Sequence, residues 1–345
     1  MPVTDRFLRA CRRESVDVTP VWFMRQAGRY MAEYRAVRRH HSILEICKTP
    51  ELAAEVTVTA AEKLGVDAAI IFADLLLPAE PMGLKLEFRD NEGPVITPPV
   101  RDRAAVDALP DDLGGALGYV SESIRKVAAH FQGRIPVIGF AGAPFTLASY
   151  LIEGGASRSF LHTKQLMYRE PATWDALMNK LCSLLAPFLR EQVAAGARAL
   201  QLFDSWVGTL GEEDFRHYVL PYIRSLVDAV QRTDVPVIYF STGTSGYPEA
   251  LAETGAAVIS LDWRAGLAGT WERLSPASAV QGNLDPVTLF APERELRRAV
   301  QQVLRQAGSR PGHIFNLGHG ILPGTPVEQV RAVVEWVHDH PLVTA

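Results

Sequence analysis

Residues Pro136-Val137-Ile138-Gly139-Phe140 form a short apolar run that opens on proline and leads into the small-residue stretch Ala141 to Pro144. Similar runs recur along the chain. Pro20 to Met24 and Asp67 to Ala73 precede it, and Ala199 to Phe203, Pro236 to Phe240, Ala257 to Leu261, Ala279 to Gly282 and His313 to Leu317 follow. Most are continuously apolar. A strand with one wet face alternates, whereas a strand of a parallel sheet is covered on both faces and does not. Helical patterns fill the gaps: Pro50 to Leu64 before Gly65, Pro171 to Ala195 before Gly196, Pro292 to Ala307 before Gly308, and Pro326 to His338. Proline suits the first turn, whose N–H groups lack partners, and glycine suits the left-handed residue that ends a helix.

Eight strands alternating with helices predict a (β/α)8 TIM barrel. A doubly wound open sheet shares the alternation, but no GxGxxG follows any run. The stretch Leu84 to Ile96 alternates around Asn91-Glu92-Gly93 and predicts a β-hairpin inserted after strand two. A barrel takes about 250 residues, which leaves roughly 95 of this chain for an N-terminal helical extension, the hairpin and long βα loops. No low-complexity linker divides the chain, so residues 1–345 are expected to form a single domain.

Composition narrows the function. Hydrophobic residues at 48% and charged residues at 21% exclude disorder, collagen and a disulfide scaffold. A net charge of −4 argues against nucleic acid as a partner. No apolar run approaches the roughly 18 residues of a membrane span. The Arg-rich start, Met1 to Ser15, lacks the apolar stretch of a secretory signal. Cys11, Cys47 and Cys182 are odd in number and widely spaced, which predicts reduced thiols in a cytoplasmic protein, with no zinc site.

Barrel chemistry sits at the C-terminal ends of the strands. Arg25 and Arg29 follow strand one, four residues apart around Gly28. In a helical turn both guanidiniums would share a face and clamp carboxylates or phosphates; solvated ion pairs are the plainer role. Asp74 follows strand two, with no charge in the six residues before it. It is either a helix N-cap or a carboxylate facing a cationic or N–H-bearing ligand. Tyr150 lies beyond strand three and serves equally well as a helix-packing aromatic. Ser205 follows strand four, where a local turn is its plainer role. His319, between Gly318 and Gly320, follows strand eight. None of the six lysines immediately follows a strand, against Schiff-base or pyridoxal chemistry. No His, Asp, Glu or Cys set has metal-ligand spacing, and there is no GxSxG. From residues alone the mouth is Arg-lined, with one isolated carboxylate and one histidine, and suits a small, multiply carboxylated substrate.

Pro20 to Tyr34 and Gly139 to Tyr150 resemble the two signature segments of the uroporphyrinogen decarboxylase family. Phe72 to Asp74, Gln201 to Ser205 and Phe315 to Gly320 match further motifs in order. The family usually has proline where Ala32 stands, outside the arginines. The resemblance runs from about Asp5 to His338. It implies a cofactor-free barrel, commonly a homodimer, that removes CO2 from the four acetates of uroporphyrinogen. It also implies substrate contacts at Arg25, Arg29, Asp74, Tyr150, Ser205 and His319, with Gln26, Ala27 and Gly28 in the same loop. Asp74 and the two arginines would carry the catalysis. The rival enzyme class is a corrinoid- or thiol-linked methyltransferase of the same fold, which would use zinc held by Cys and His. Cys182 reads as mid-helix, and Cys11 and Cys47 as outside the mouth. The non-enzyme rival is a tetrapyrrole carrier.

Overall fold

The computed structural model describes residues 6–89, 92–231 and 233–340. The strands are β1 (Ala69–Ile70), β2 (Lys85–Arg89), β3 (Gly93–Thr97), β4 (Val137–Gly142), β5 (Ala197–Asp204), β6 (Val237–Ser241), β7 (Val258–Ser260), β8 (Ala279–Gln281) and β9 (His313–Ile314). Seven of them form one curled parallel sheet in the order β1-β4-β5-β6-β7-β8-β9. All six residues of β4 are buried, as its unbroken apolar run requires. The fold is a TIM-type α/β barrel.

The expected first strand is the exception. Pro20 to Met24 fills the eighth position without becoming a regular strand. Val21 makes a single parallel bridge to Phe315. Phe315 N–H donates to the Pro20 carbonyl at 2.8 Å, and Asp67 N–H to the Val21 carbonyl at 2.8 Å, so the run closes the gap between β9 and β1. The reason lies in its donors. Pro20 has no N–H. Val21 N–H goes to the Asp67 carboxylate at 2.7 Å, and Met24 N–H to Asn316 Oδ1 at 3.3 Å. Side chains therefore take what a ladder would have used.

The helices follow their punctuation. Pro50–Leu64 ends on Gly65 at φ 69°, the left-handed cap. The others are Pro171–Ala194, Glu293–Ala307 and Val327–His338. An N-terminal helix, Arg6–Cys11, precedes the barrel, as expected. The hairpin pairs β2 with β3 antiparallel, Leu86 opposite Ile96. Asn91, expected in its turn, lies outside the described residues.

The barrel interior is not wholly apolar. Trp22 Nε1 donates to Gln281 Oε1 at 2.9 Å, and Gln281 Nε2 donates to Gln201 Oε1 at 3.0 Å and Ser260 Oγ at 2.9 Å. Since β5 and β8 are not neighbours, the Gln281–Gln201 bond crosses the lumen. It links staves three places apart in the sheet order.

Candidate active site

The first stave runs into an irregular turn, and a helix begins only at Ala32. Arg25 and Arg29 therefore do not share a helical face, contrary to expectation. Arg25 adopts φ 58°, in the left-handed region. Its side chain lies across Gly320: a Cβ at that position would stand 2.5 Å from Arg25 Cδ. The loop after β9 thus gives up a side chain so that the arginine can lie on it. Within the same turn Gln26 is buried, with its carbonyl accepting from Tyr30 Oη at 2.5 Å. Its Nε2 has no partner among the described residues. Ala27 and Gly28 are half-buried, and Gly28 C=O accepts Met31 N–H at 2.9 Å. Arg29 is exposed.

Asp74 follows β1 and is partly open. Its Oδ1 accepts Leu76 N–H at 2.9 Å, a local turn that leads into the short 3-10 turn Leu77–Ala79, whose N-cap is Leu76. Asp74 is therefore not the N-cap that its position after the strand allowed. Burial pushes its carboxyl above the ordinary range, against the pull of the Leu76 N–H and the Arg25 charge. Tyr150 sits in the helix Pro144–Glu153, edge-on to Trp206 at 5.8 Å between ring centroids. Burial raises its hydroxyl. A hydrogen bond from Trp206 and the Arg25 charge oppose that rise, and the Asp74 charge adds to it. His319 packs edge-on to Phe240 at 5.7 Å. It is lowered to about 4 by burial, then by Arg25 and Arg264, with Asp262 opposing. Gly320 N–H donates to His319 Nδ1 at 2.7 Å, so the neutral ring carries its proton on Nε2.

One cation unites these groups: the charge of Arg25 acts on Asp74, Tyr150 and His319 alike. Ser205 stands beside Trp206, its carbonyl accepting Thr242 Oγ1 at 3.0 Å. Arg29 is not drawn into the cluster; its charge reaches Tyr34. Three residues past the run Ala257 to Leu261 stands Arg264, which the sequence candidates did not include. Its guanidinium stacks 4.2 Å over Trp263, pairs with Asp262 at 2.8 Å and bears on His319. A cation two residues past Asp262 was the available signal. Cys47 is buried on the helix Ile43–Lys48, where burial raises its thiol and the Asp74 charge adds to the rise. Cys182 lies mid-helix as expected. Among the described residues no three His, Cys, Asp or Glu side chains are placed to share a metal.

A family model described as Uroporphyrinogen decarboxylase (URO-D) matches residues 3–340. The chain belongs to the uroporphyrinogen decarboxylase family. Relatives named uroporphyrinogen decarboxylase include one from Solibacter usitatus (strain Ellin6076), 58% identical over 98% of both chains. Another, from Koribacter versatilis (strain Ellin345), is 57% identical over 97% of this chain and 95% of its own. Among solved structures, a methyltransferase from Methanosarcina mazei superposes with a TM-score of 0.80 at 21% identity, over 98% of this chain and 99% of that one. A B12-independent methionine synthase from Shewanella sp. W3-18-1 gives 0.58 at 9% identity, over 87% and 90%. At such identities the likeness is one of fold.

Proposed function

We propose that this mouth binds uroporphyrinogen III and removes CO2 from its four acetate side chains to give coproporphyrinogen III. The family supports the reaction: the enzyme is a carboxy-lyase of tetrapyrrole biosynthesis. The site assignments rest on one observation. A partly open carboxylate, Asp74, shares the field of Arg25 with Tyr150 and His319.

The chemistry follows from those groups. Losing CO2 from an acetate on a pyrrole needs an electron sink. The substrate supplies its own when the ring is protonated to an iminium-like cation, so no cofactor is required. Each step takes up one proton and converts CH2COO⁻ to CH3 and CO2. Asp74 stabilises the cation and accepts the pyrrole N–H groups, each charge-assisted bond contributing about 1.5–3 kcal/mol. Arg25 is the catalytic cation of this cluster and orients substrate carboxylates; Arg29, exposed and outside the cluster, is the second catalytic cation only if a macrocycle reaches out to it, and Gln26, Ala27 and Gly28 shape their loop. Tyr150, Ser205 and the Nε2–H of His319 orient other substituents. Arg264 adds a cation on the His319 side.

We further place the enzyme in the cytoplasm as a homodimer of single-domain subunits, without nucleic acid or membrane as partner. Three buried free thiols support a reducing compartment. One continuous core cluster, from Phe7 to Val337, supports a single domain. No helix among the described residues is long and apolar enough to cross a membrane. Anaerobic incubation with uroporphyrinogen, followed by separation of the oxidised products by carboxyl count, tests the activity. Bound porphyrin without loss of carboxyls would make the protein a carrier. Sedimentation at working concentration tests the dimer, which a monomer mass would overturn.

A further inference from the structure

We propose that Asp204 and Thr146 are positioning residues that set the loop Ser205–Trp206, and through it Tyr150, for substrate binding. The proposal rests on the decarboxylase reading above.

Asp204 ends β5 and is completely buried, yet no cation among the described residues pairs with it. Its Oδ1 accepts from Thr146 Oγ1 at 2.7 Å and its Oδ2 from Tyr239 Oη at 2.7 Å. Both donors are themselves buried. A carboxylate can only accept, so it turns both hydroxyl protons toward itself. Thr146 Oγ1 is then left with lone pairs alone on its other side. It uses one to accept Trp206 N–H at 3.2 Å. Thr146 and Tyr150 lie four residues apart on one helix, and the Trp206 ring packs between Tyr150 and Phe160. The loop is tied a second time where Thr242 Oγ1 donates to the Ser205 carbonyl. Beside that tie Gly208 lies so close that a Cβ would stand 1.9 Å from the Thr242 carbonyl oxygen.

The energetics separate this role from stability. Burial pushes the Asp204 carboxyl up to about 6, so at pH 8 it is ionised in a place that disfavours its charge. A group kept only to hold the fold would be better served by a neutral side chain at this position. An asparagine in its place offers one acceptor and one donor face, and cannot command both hydroxyls.

The test is steady-state kinetics with uroporphyrinogen at pH 8, alongside thermal unfolding, for Thr146→Val, Thr146→Ser, Asp204→Asn and Thr242→Val. Thr146→Val is expected to raise KM about tenfold, and Thr146→Ser to restore it. Asp204→Asn is expected to raise KM in the same direction with a Tm no lower than wild type. Thr242→Val, at a less buried position, cuts the second tie and keeps the idea testable if Thr146→Val does not fold; it too should raise KM. Unchanged KM in Thr146→Val or Thr242→Val overturns the proposal. So does a Thr146→Ser enzyme as impaired as the valine variant, which would make the role one of packing. An inactive wild-type enzyme would instead overturn the decarboxylase reading.

Discussion

Arg25 holds a backbone conformation that side-chain-bearing residues adopt rarely, at a strain of order 1 kcal/mol. The strain aims its guanidinium over Gly320 rather than along a helical face with Arg29. Gly320→Ala should therefore fold normally, because the clash is with a movable side chain and its backbone φ is not left-handed. Displacing Arg25 should raise KM for uroporphyrinogen about tenfold; an unchanged KM would show that the arginine does not need this seat. Asp74→Asn keeps the size and loses the charge. It should cut kcat by more than about tenfold, a barrier rise above roughly 1.4 kcal/mol, in the coproporphyrinogen assay. More activity than that would remove Asp74 from the chemistry. Both residues were visible as strand-end charges. Their mutual field was not, since Arg25 and Asp74 are 49 positions apart in the chain. Arg264 escaped notice because its relevance depends on a histidine brought over from another strand end.

At the scale of elements, the closure of the barrel depends on Asp67. Its buried carboxylate accepts Val21 N–H, pairs with Arg6 at 2.9 Å and meets His338 at 2.8 Å. It joins the N-terminal helix, the irregular first stave and the last helix. Asp67→Ala leaves Val21 N–H and His338 without this acceptor, and leaves Arg6 to Asp17 alone. It should lower unfolding stability by about 2 kcal/mol in urea melts; a loss below about 1 kcal/mol would rank it with surface pairs. The helices were readable because their signals are local. Pro50 and Gly65 act on the backbone of their own turns. The first stave was readable as extended but not as bridge-bonded. Whether an N–H reaches a strand or a carboxylate depends on Asp67 and Asn316, neither of which adjoins it in sequence.

For the whole molecule, acid should act through buried histidine. His313 is buried on β9, donates Nε2–H to the Gly282 carbonyl at 2.9 Å, and is lowered to about 4, chiefly by burial. The unfolded chain takes up this proton near its ordinary value of 6.5, before the native state does. Stability is therefore full above about pH 6.5 and falls toward pH 4, by about 3 kcal/mol for this group. Lowered His319 acts in the same direction. Asp204, raised to about 6, acts in the opposite one, favouring the fold as pH falls below that value. Denaturant midpoints of wild type and His313→Gln at pH 7.5 and 4.5 isolate the term, because the other groups cancel. Equal pH dependence in the two would refute it.

Periodicity and punctuation alone determined an α/β barrel with an inserted hairpin, because apolar spacing, proline and glycine act over a few residues. The strand ends named Asp74, Arg25, Tyr150 and His319 as candidates for the same reason. Only the tertiary structure decided that one arginine charge serves three of the other side chains, that Arg29 stands apart, and that Asp204 is buried beside the loop Ser205–Trp206. Electrostatic fields, burial and hydrogen-bond direction depend on distances through space. Those distances exist only once the strands have closed around a common axis.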